Sequence, residues 1–309
     1  MKMKKIFIDG SAGTTGLRIR ERLGGRQDIC LLTIPEELRK DPAARKEIMN
    51  EADLVFFCLP DAAAMEAAQL IENPDTVVID TSTAHRVSEE WTYGMPELPG
   101  MKEKIRGSKR IANPGCHASG FIALAAPLTA AGIIPASAKL SAFSLTGYSG
   151  GGKKMIADYE ADGRDPLYDA PRQYGLSQSH KHLPEMAKFA GLDVSPVFCP
   201  IVSDYYAGME VTVPFFLPAG VTAEDVRNVY RAAYPGPVIR FAEGTDEGGF
   251  LSAGAFAGRD DMEITVHGNE ERLILTARFD NLGKGASGAA VQNMNLVLGM
   301  EETEGLVIR

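Results

Sequence analysis

The 309-residue sequence predicts an α/β chain, a doubly wound parallel sheet joined to a second, α+β domain. Three observations predict it. Short apolar strand runs alternate with helical stretches through the first 116 residues. A glycine-spaced turn follows the first of those strands, and long β-patterned runs dominate the region beyond residue 139. Lys5–Asp9 is a compact buried-strand run that leads straight into Gly10-Ser11-Ala12-Gly13-Thr14-Thr15-Gly16. Leu17 to Leu23 then places apolar residues at helical spacing and stops at Gly24-Gly25. Ile29–Ile34, Asp53–Pro60 and Thr76–Asp80 read as further strands. Between them lie a charged helical stretch ending near Asn50 and a helix over Ala62–Ile71.

The second region has a different pattern. Lys139–Tyr148 is strand-like and opens into Ser149-Gly150-Gly151-Gly152-Lys153-Lys154, a flexible turn carrying two cations. Val194–Tyr205 and Met209–Leu217 are long β runs, and Thr222 with Asp225 forms a capping box at a helix start. Met262–His267 and Arg272–Phe279 read as a hairpin across Gly268-Asn269, giving a mostly antiparallel sheet covered by helices. Ala289–Met300 returns to helical periodicity and is expected to pack back onto the first domain.

Composition excludes several classes. A hydrophobic content of 45% supports a large core and two domains. The net charge of -9, with no basic tract to offset it, argues against a nucleic-acid partner. No apolar run reaches the roughly 18 residues of a membrane span. The basic start, Met1 to Lys5, runs into a short strand broken at Asp9-Gly10, unlike a secretory signal. Four cysteines without a Cys-x-x-Cys pair make no disulfide framework, so a reduced, cytoplasmic protein is expected.

The chemistry centres on Asn113-Pro114-Gly115-Cys116-His117-Ala118-Ser119-Gly120, which runs directly into the helix-forming stretch Phe121 to Ala131. A sharp turn at Pro114-Gly115 puts Cys116 at a helix N-terminus, where unpaired backbone N–H groups and the dipole favour thiolate. Cys116 is therefore the expected nucleophile, whereas Cys30, Cys58 and Cys199 sit in apolar stretches as structural thiols. Ser179-His180-Lys181-His182-Leu183-Pro184-Glu185 supplies two of the five histidines in a loop entering a short helix, with Pro184 in its first turn. A histidine there can exchange the thiol proton, and Glu185 can orient it. A zinc site built on Cys116, His180 and His182 lacks a further ligand pair, so no metal is expected.

Gly10-x-x-Gly13-x-x-Gly16 between strand and helix suits a pyrophosphate resting on the helix N-terminus. After the second strand, Thr33-Ile34-Pro35 stands where NAD enzymes place a carboxylate. Glu36 and Glu37 follow, and so do Arg39, Lys40 and Arg45, which suit a 2′-phosphate and favour NADP. Arg86, beyond the strand ending at Asp80, offers a fork for carboxylate or phosphate, or else an ion pair with Asp80 or Glu89. Lys153 and Lys154 are candidates for contact with an anionic substrate.

These motifs together resemble the N-acetyl-γ-glutamyl-phosphate reductases of arginine biosynthesis, over nearly the whole chain. Gly10 to Gly16 matches that family's nucleotide loop, Asn113 to Cys116 its nucleophile motif and His180 to Glu185 its histidine motif. Asp280-Asn281-Leu282-x-Lys284-Gly285-Ala286-Ser287-Gly288 with Gln292-Asn293-x-Asn295 matches its C-terminal signature. Cys116-His117-Ala118-Ser119-Gly120 departs from the aromatic-rich form of longer members, which marks a compact subtype.

The resemblance implies a fold like glyceraldehyde-3-phosphate dehydrogenase. Residues 1–116 and 284–309 would form a Rossmann domain with a returning C-terminal helix, and residues 117–283 a catalytic and dimerisation domain. It also implies an NADPH-dependent reduction of an acyl phosphate through a Cys116 thioester, with His182 as acid/base. Arg86, His180, Glu185, Lys153 and Ser149 would serve the substrate. Gly10, Ser11, Ala12, Gly13, Thr14, Thr15, Gly16 and Asn281 would serve NADP, in a homodimer or homotetramer. Aspartate-semialdehyde dehydrogenase shares the thiolate chemistry and glycine loop but not the His-x-His-x-Pro-Glu motif. A cysteine–histidine acyl hydrolase or transferase would not need Gly10 to Gly16, and a nucleotide sensor would not need Cys116.

Overall fold

The computed structural model describes residues 3–309, so Met1 and Lys2 of the basic start lie outside the described residues. The chain divides into two compact units. One runs through Pro114 and takes in Ala286–Leu306; the other is Gly115–Gly285 with Val307–Arg309.

The first unit is built from β1 (Lys4–Asp9), α1 (Thr14–Leu23), β2 (Ile29–Leu32), α2 (Pro42–Glu51), β3 (Leu54–Phe57), α3 (Asp61–Ala68), β4 (Val77–Asp80), β5 (Thr92–Tyr93), α4 (Met101–Arg106) and β6 (Arg110–Ala112). Its six strands are all parallel in the order β2-β1-β3-β4-β6-β5. Such a sheet is covered on both faces, which is why its strands read as unbroken apolar runs rather than alternating ones. Ile6, Ile8, Leu54, Phe56 and Ile79 enter one core with Ile19 and Leu23 of α1. Phe7, Val55, Phe57 and Val78 enter the opposite core with Met49 of α2 and Ala64 of α3. The strand order reverses between β1 and β3, and ligands of open α/β sheets sit at such a point. The glycine turn follows β1 directly.

Three details differ from the sequence reading. Strand β2 stops at Leu32, before Pro35, and α1 begins at Thr14, three residues before its apolar stripe. β5 and β6 join the sheet unpredicted, because two or three residues are too short to show a period.

The second unit holds α5 (Cys116–Ala130), β7 (Ser141–Gly147), α6 (Gly152–Glu160), β8 (Arg172–Gln173), α7 (Leu183–Ala190), β9 (Val197–Ser203), β10 (Met209–Phe216), α8 (Ala223–Ala233), β11 (Ile239–Phe241), β12 (Met262–Gly268) and β13 (Arg272–Phe279). The seven strands run in the order β11-β12-β13-β10-β7-β9-β8. Most neighbours are antiparallel, including the expected β12–β13 hairpin, but β7–β9 and β11–β12 are parallel, so the sheet is mixed. The run Ser149–Lys154 is no flexible turn. Tyr148–Gly151 winds into a 3₁₀ turn and α6 starts at Gly152.

Helix α5 is apolar on every side, with Ala118 through Ala125 buried, as a central helix must be. Its neighbour α8 is fixed by the capping box of Thr222 and Asp225, a feature worth about 1 kcal/mol. Tyr230 of α8 and Tyr234 at its C-cap anchor it to α5. Tyr230 Oη donates to the Leu124 carbonyl at 2.6 Å and Tyr234 Oη to the Ala123 carbonyl at 2.8 Å, so both buried hydroxyls keep a partner.

The chain then returns to the first unit through α9 (Gly288–Val297). Ala290, Val291 and Met294 complete the core that holds Ile6, Ile8 and Ile111.

Candidate active site

Cys116 is the first residue of α5. Gly115 before it is extended (φ -79°, ψ 148°) and supplies no side chain to cap the helix, so the residue that carries the thiol stands at the positive dipole end, among the leading N–H groups. The turn is held from α7, whose fully buried Glu185 accepts the Gly115 N–H at 3.2 Å. Gly285, from the C-terminal signature, closes on the other side. A Cβ there would lie 2.9 Å from Cys116 Cβ, which explains the glycine.

The histidine loop is placed as its sequence suggests. His182 occupies the N-cap position of α7, Pro184 lies in the first turn, and Gly191 ends the helix at φ +71°. The His182 N–H donates to His180 Nδ1 at 3.3 Å, and the two rings lie 4.7 Å apart. A third imidazole, which sequence reasoning passed over, joins them. His117 stands 5.5 Å from His182 and 5.8 Å from His180 between ring centroids, with Phe198 at 5.2 Å.

Both nitrogens of His117 are bonded, Nδ1 to Ser144 Oγ and Nε2 to Tyr174 Oη, each at 2.7 Å. Burial, helped by His180, pushes its pKa down to about 3, so the ring is neutral at physiological pH. Tyr174 is held above the usual phenol range by burial and then by the negative charge of Cys116. The only local signal for His117 was its place beside Cys116.

The remaining predicted residues of this unit are Asn281, Ser149 and the two lysines. Asn281 donates to Ser149 Oγ at 2.9 Å and accepts the Gly208 N–H at 2.9 Å. Both side chains are buried, and Asn281 spends both ends of its amide as an internal brace. Lys153 and Lys154 are exposed on the first turn of α6.

In the first unit, Gly10 adopts φ +84°, and a Cβ on it would sit 2.2 Å from the Cys58 carbonyl oxygen at the end of β3. A Cβ on Gly16 would sit 2.6 Å from the Gly10 oxygen. Gly13 caps α1 without a side chain, and a Cβ there would meet nothing closer than 3.4 Å, which leaves its outer side open to a ligand. Ser11, Ala12, Thr14 and Thr15 remain half-exposed around it. This cradle of bare N–H groups fits a pyrophosphate.

Beyond it a cleft of about 280 Å³ is lined by Asp9, Ser11, Arg20, Thr33, Glu36 and Arg39, among others. Glu36 and Arg39 pair at 2.8 Å. Arg45, expected among the phosphate-binding cations, instead turns inward to Asp9 at 2.6 Å. Burial still raises the Asp9 pKa, outweighing Arg45. Glu37 and Lys40 do not line the cleft. Cys58, part-exposed as a residue, has a thiol desolvated enough to be pushed up to about 12, as suits a structural role.

Arg86 is buried and donates to backbone, Nε to the Asn113 carbonyl at 3.0 Å and Nη2 to the Thr81 carbonyl at 3.2 Å. Asp80, weighed as its ion-pair partner, accepts from Ser82 and bonds His85 Nδ1 at 2.7 Å. Asn113 and Asn293 tie the strand end to α9, Asn113 Nδ2 to the Ala286 carbonyl at 3.1 Å and Asn293 Nδ2 to the Gly94 carbonyl at 2.8 Å.

Comparison with known proteins agrees with both units. Residues 2–107 match the semialdehyde dehydrogenase NAD-binding domain and residues 116–281 the semialdehyde dehydrogenase dimerisation domain. An N-acetyl-gamma-glutamyl-phosphate reductase of Chelativorans sp. (strain BNC1) is 47% identical over 95% of this chain and 98% of its own. An N-acetyl-gamma-glutamyl-phosphate reductase 2 of Nostoc sp. is 42% identical over 99% and 100%. Among solved structures, aspartate semialdehyde dehydrogenase II from Vibrio cholerae superposes with a TM-score of 0.72 at 17% identity, over 97% of this chain and 99% of that one. The fold is therefore that of the glyceraldehyde-3-phosphate-dehydrogenase-like enzymes, with a nicotinamide-binding domain. The chain belongs to the N-acetyl-γ-glutamyl-phosphate reductase family of semialdehyde dehydrogenases.

Proposed function

We propose that this enzyme reduces N-acetyl-γ-glutamyl phosphate to N-acetylglutamate semialdehyde and phosphate, in the cytoplasm, as a step of arginine biosynthesis. The observation that carries the reading is Cys116 at the uncapped start of α5, in the same unit as a cluster of three imidazoles. The Cys116 thiolate attacks the acyl carbon, and the tetrahedral oxyanion collapses with loss of phosphate to leave a thioester on sulfur. The reduced nicotinamide, when bound, supplies the hydride that turns this thioester into a thiohemiacetal oxyanion. His182 protonates that oxygen, then takes the proton back as the C–S bond breaks and the aldehyde leaves. His180, its Nδ1 held by the His182 N–H, is assigned to the substrate. Glu185 acts by holding the Gly115 N–H, and Arg86 fixes the Asn113 carbonyl, three residues before the nucleophile in the chain. Ser149 and Lys153 are kept as candidate substrate contacts and Asn281 as a candidate cofactor contact.

The cofactor is NADP. Gly10 to Gly16 would hold the pyrophosphate, and Arg39 and Arg20 line the cleft beside Thr33, where a ribose-binding carboxylate would otherwise stand. A steady-state assay with N-acetylglutamate semialdehyde tests the whole reading. NADP reduction is expected to require phosphate, to run at least about tenfold faster in kcat/KM than with NAD, and to fail with aspartate semialdehyde. Equal rates on aspartate semialdehyde, or turnover of acyl esters without nicotinamide, would overturn it.

The second unit also supports pairing with another copy of this chain. Phe143, Val197, Phe216 and Ile274 are exposed on one face of its sheet, as the strand registers require, while Met209, Val211 and Val213 of β10 are buried on the other. An open apolar face on a sheet marks an interface. We assign it to a homodimer, and sedimentation of a single chain at micromolar concentration would refute it.

A further inference from the structure

Of the cations expected beside a 2′-phosphate, Arg45 turns inward, and its partner stands at the root of the glycine turn. Asp9 shares with Phe7 the face of β1 that packs on α2, and Arg45 reaches it from that helix. The Asp9 side chain is 6% exposed and that of Arg45 15%, and Nη2 meets Oδ2 at 2.6 Å. Asp9 also lines the same cleft as Gly10 and Ser11, which open the turn. A carboxylate there has the wrong sign. The pyrophosphate that Gly10 to Gly16 would cradle is itself an anion, and charges sharing a half-buried cleft are poorly screened. Helix-end N–H groups attract an anion with only a fraction of an elementary charge, so a bare carboxylate at the turn would offset them.

We propose that Arg45 is a positioning residue of the nucleotide turn that acts through Asp9, neutralising a carboxylate beside the pyrophosphate site and so serving NADP and NAD alike. The charge is not idle, since the Gly10 N–H favours it and the carboxylate thereby holds the first glycine of the turn. Other groups face Asp9 as well. Cys58, just past β3, feels both Asp9 and Asp80, and its thiol stays protonated. Arg20 of α1, Glu36 and Arg39 line the cleft on which Asp9 opens. Burial favours the neutral form of Asp9 while Arg45 and the Gly10 N–H favour the charged one. Without Arg45 the carboxyl therefore takes up its proton at higher pH than in the wild type. The proposal rests on the reading of Gly10 to Gly16 as the pyrophosphate cradle.

Arg45→Met keeps much of the side-chain volume and removes the charge. Titrated with NADPH or NADH by the cofactor's own fluorescence at about pH 8, it is expected to bind each about tenfold more weakly than wild type. The preference between the two should stay within about twofold of wild type, since neither contact is to the 2′-phosphate. At about pH 6 the deficit should shrink to about threefold, as the unpaired Asp9 is neutralised, and the ratio to wild type cancels the cofactor's own titration. The double variant Asp9→Asn/Arg45→Met should bind within about twofold of wild type at both pH values, because the charge that Arg45 compensates is gone. A loss confined to NADPH would make Arg45 a 2′-phosphate ligand and overturn the proposal. So would a deficit that is equal at both pH values or that the double variant keeps. If Arg45→Met does not fold, Asp9→Asn carries the test. It should bind both dinucleotides at least as tightly as wild type, and weaker binding of either overturns the proposal. Gly13→Ala, titrated alongside, separates the two readings. If it binds like wild type the cradle itself fails, and if it binds weakly while Arg45→Met is unaffected only the role of Arg45 fails.

Discussion

Cys116→Ser is expected to lose at least about 10³-fold in kcat/KM, roughly 4 kcal/mol of transition-state stabilisation, while dinucleotide affinity stays within about twofold. The reason is chemical. A serine hydroxyl at the start of α5 meets the same N–H groups but stays protonated, since the helix end moves a pKa by far less than an alcohol would need. The substitution is nearly isosteric at a half-buried position, so stability should change by no more than about 1 kcal/mol. Steady-state kinetics beside a dinucleotide titration and a urea melt check all three parts. Turnover within tenfold of wild type would remove sulfur from the chemistry.

Gly10→Ala has the other large expected effect, and it should act through the first unit alone. The new methyl would lie 2.2 Å from a backbone oxygen of Cys58, which no rotamer can relieve, at a φ of +84° that alanine disfavours. A loss of roughly 3 kcal/mol or more is expected, with dinucleotide binding abolished. Gly13→Ala makes the contrast. Its methyl meets nothing inside 3.4 Å, so the fold should survive while binding weakens, because the methyl would occupy the side left open for a phosphate. Urea midpoints and fluorescence titration of the two variants distinguish them. Equal binding in Gly13→Ala and wild type would mean that the turn does not cradle the pyrophosphate.

What the sequence made legible was local. The glycine turn, the start of α5, Pro184 in the first turn of α7 and the box of Thr222 and Asp225 all depend on residues within a few positions of one another. What it hid was long-range. His117 meets Ser144 at a separation of 27 residues and Tyr174 at 57, and no periodicity encodes either pairing. Arg45 reads as a cation for a 2′-phosphate until Asp9, 36 residues earlier, is found beside it. The parallel pairing of β7 with β9 was equally invisible, since an alternating strand fits either direction. Asn281 shows the opposite failure. A motif marked it as important, but its buried hydrogen bonds to Ser149 and Gly208 could not be read from spacing.

The placing of α9 has a consequence for biogenesis. The wall formed by Ala290, Val291 and Met294 is translated from about 180 to about 280 residues after the strands it seals. A nascent chain therefore carries one side of its first sheet, Ile6, Ile8 and Ile111 included, with only α1 and α4 over it and its α9 share uncovered while the whole second unit is being made. Synthesis order and folding order are decoupled, and the interval is one in which trigger-type chaperones would find an apolar surface to hold.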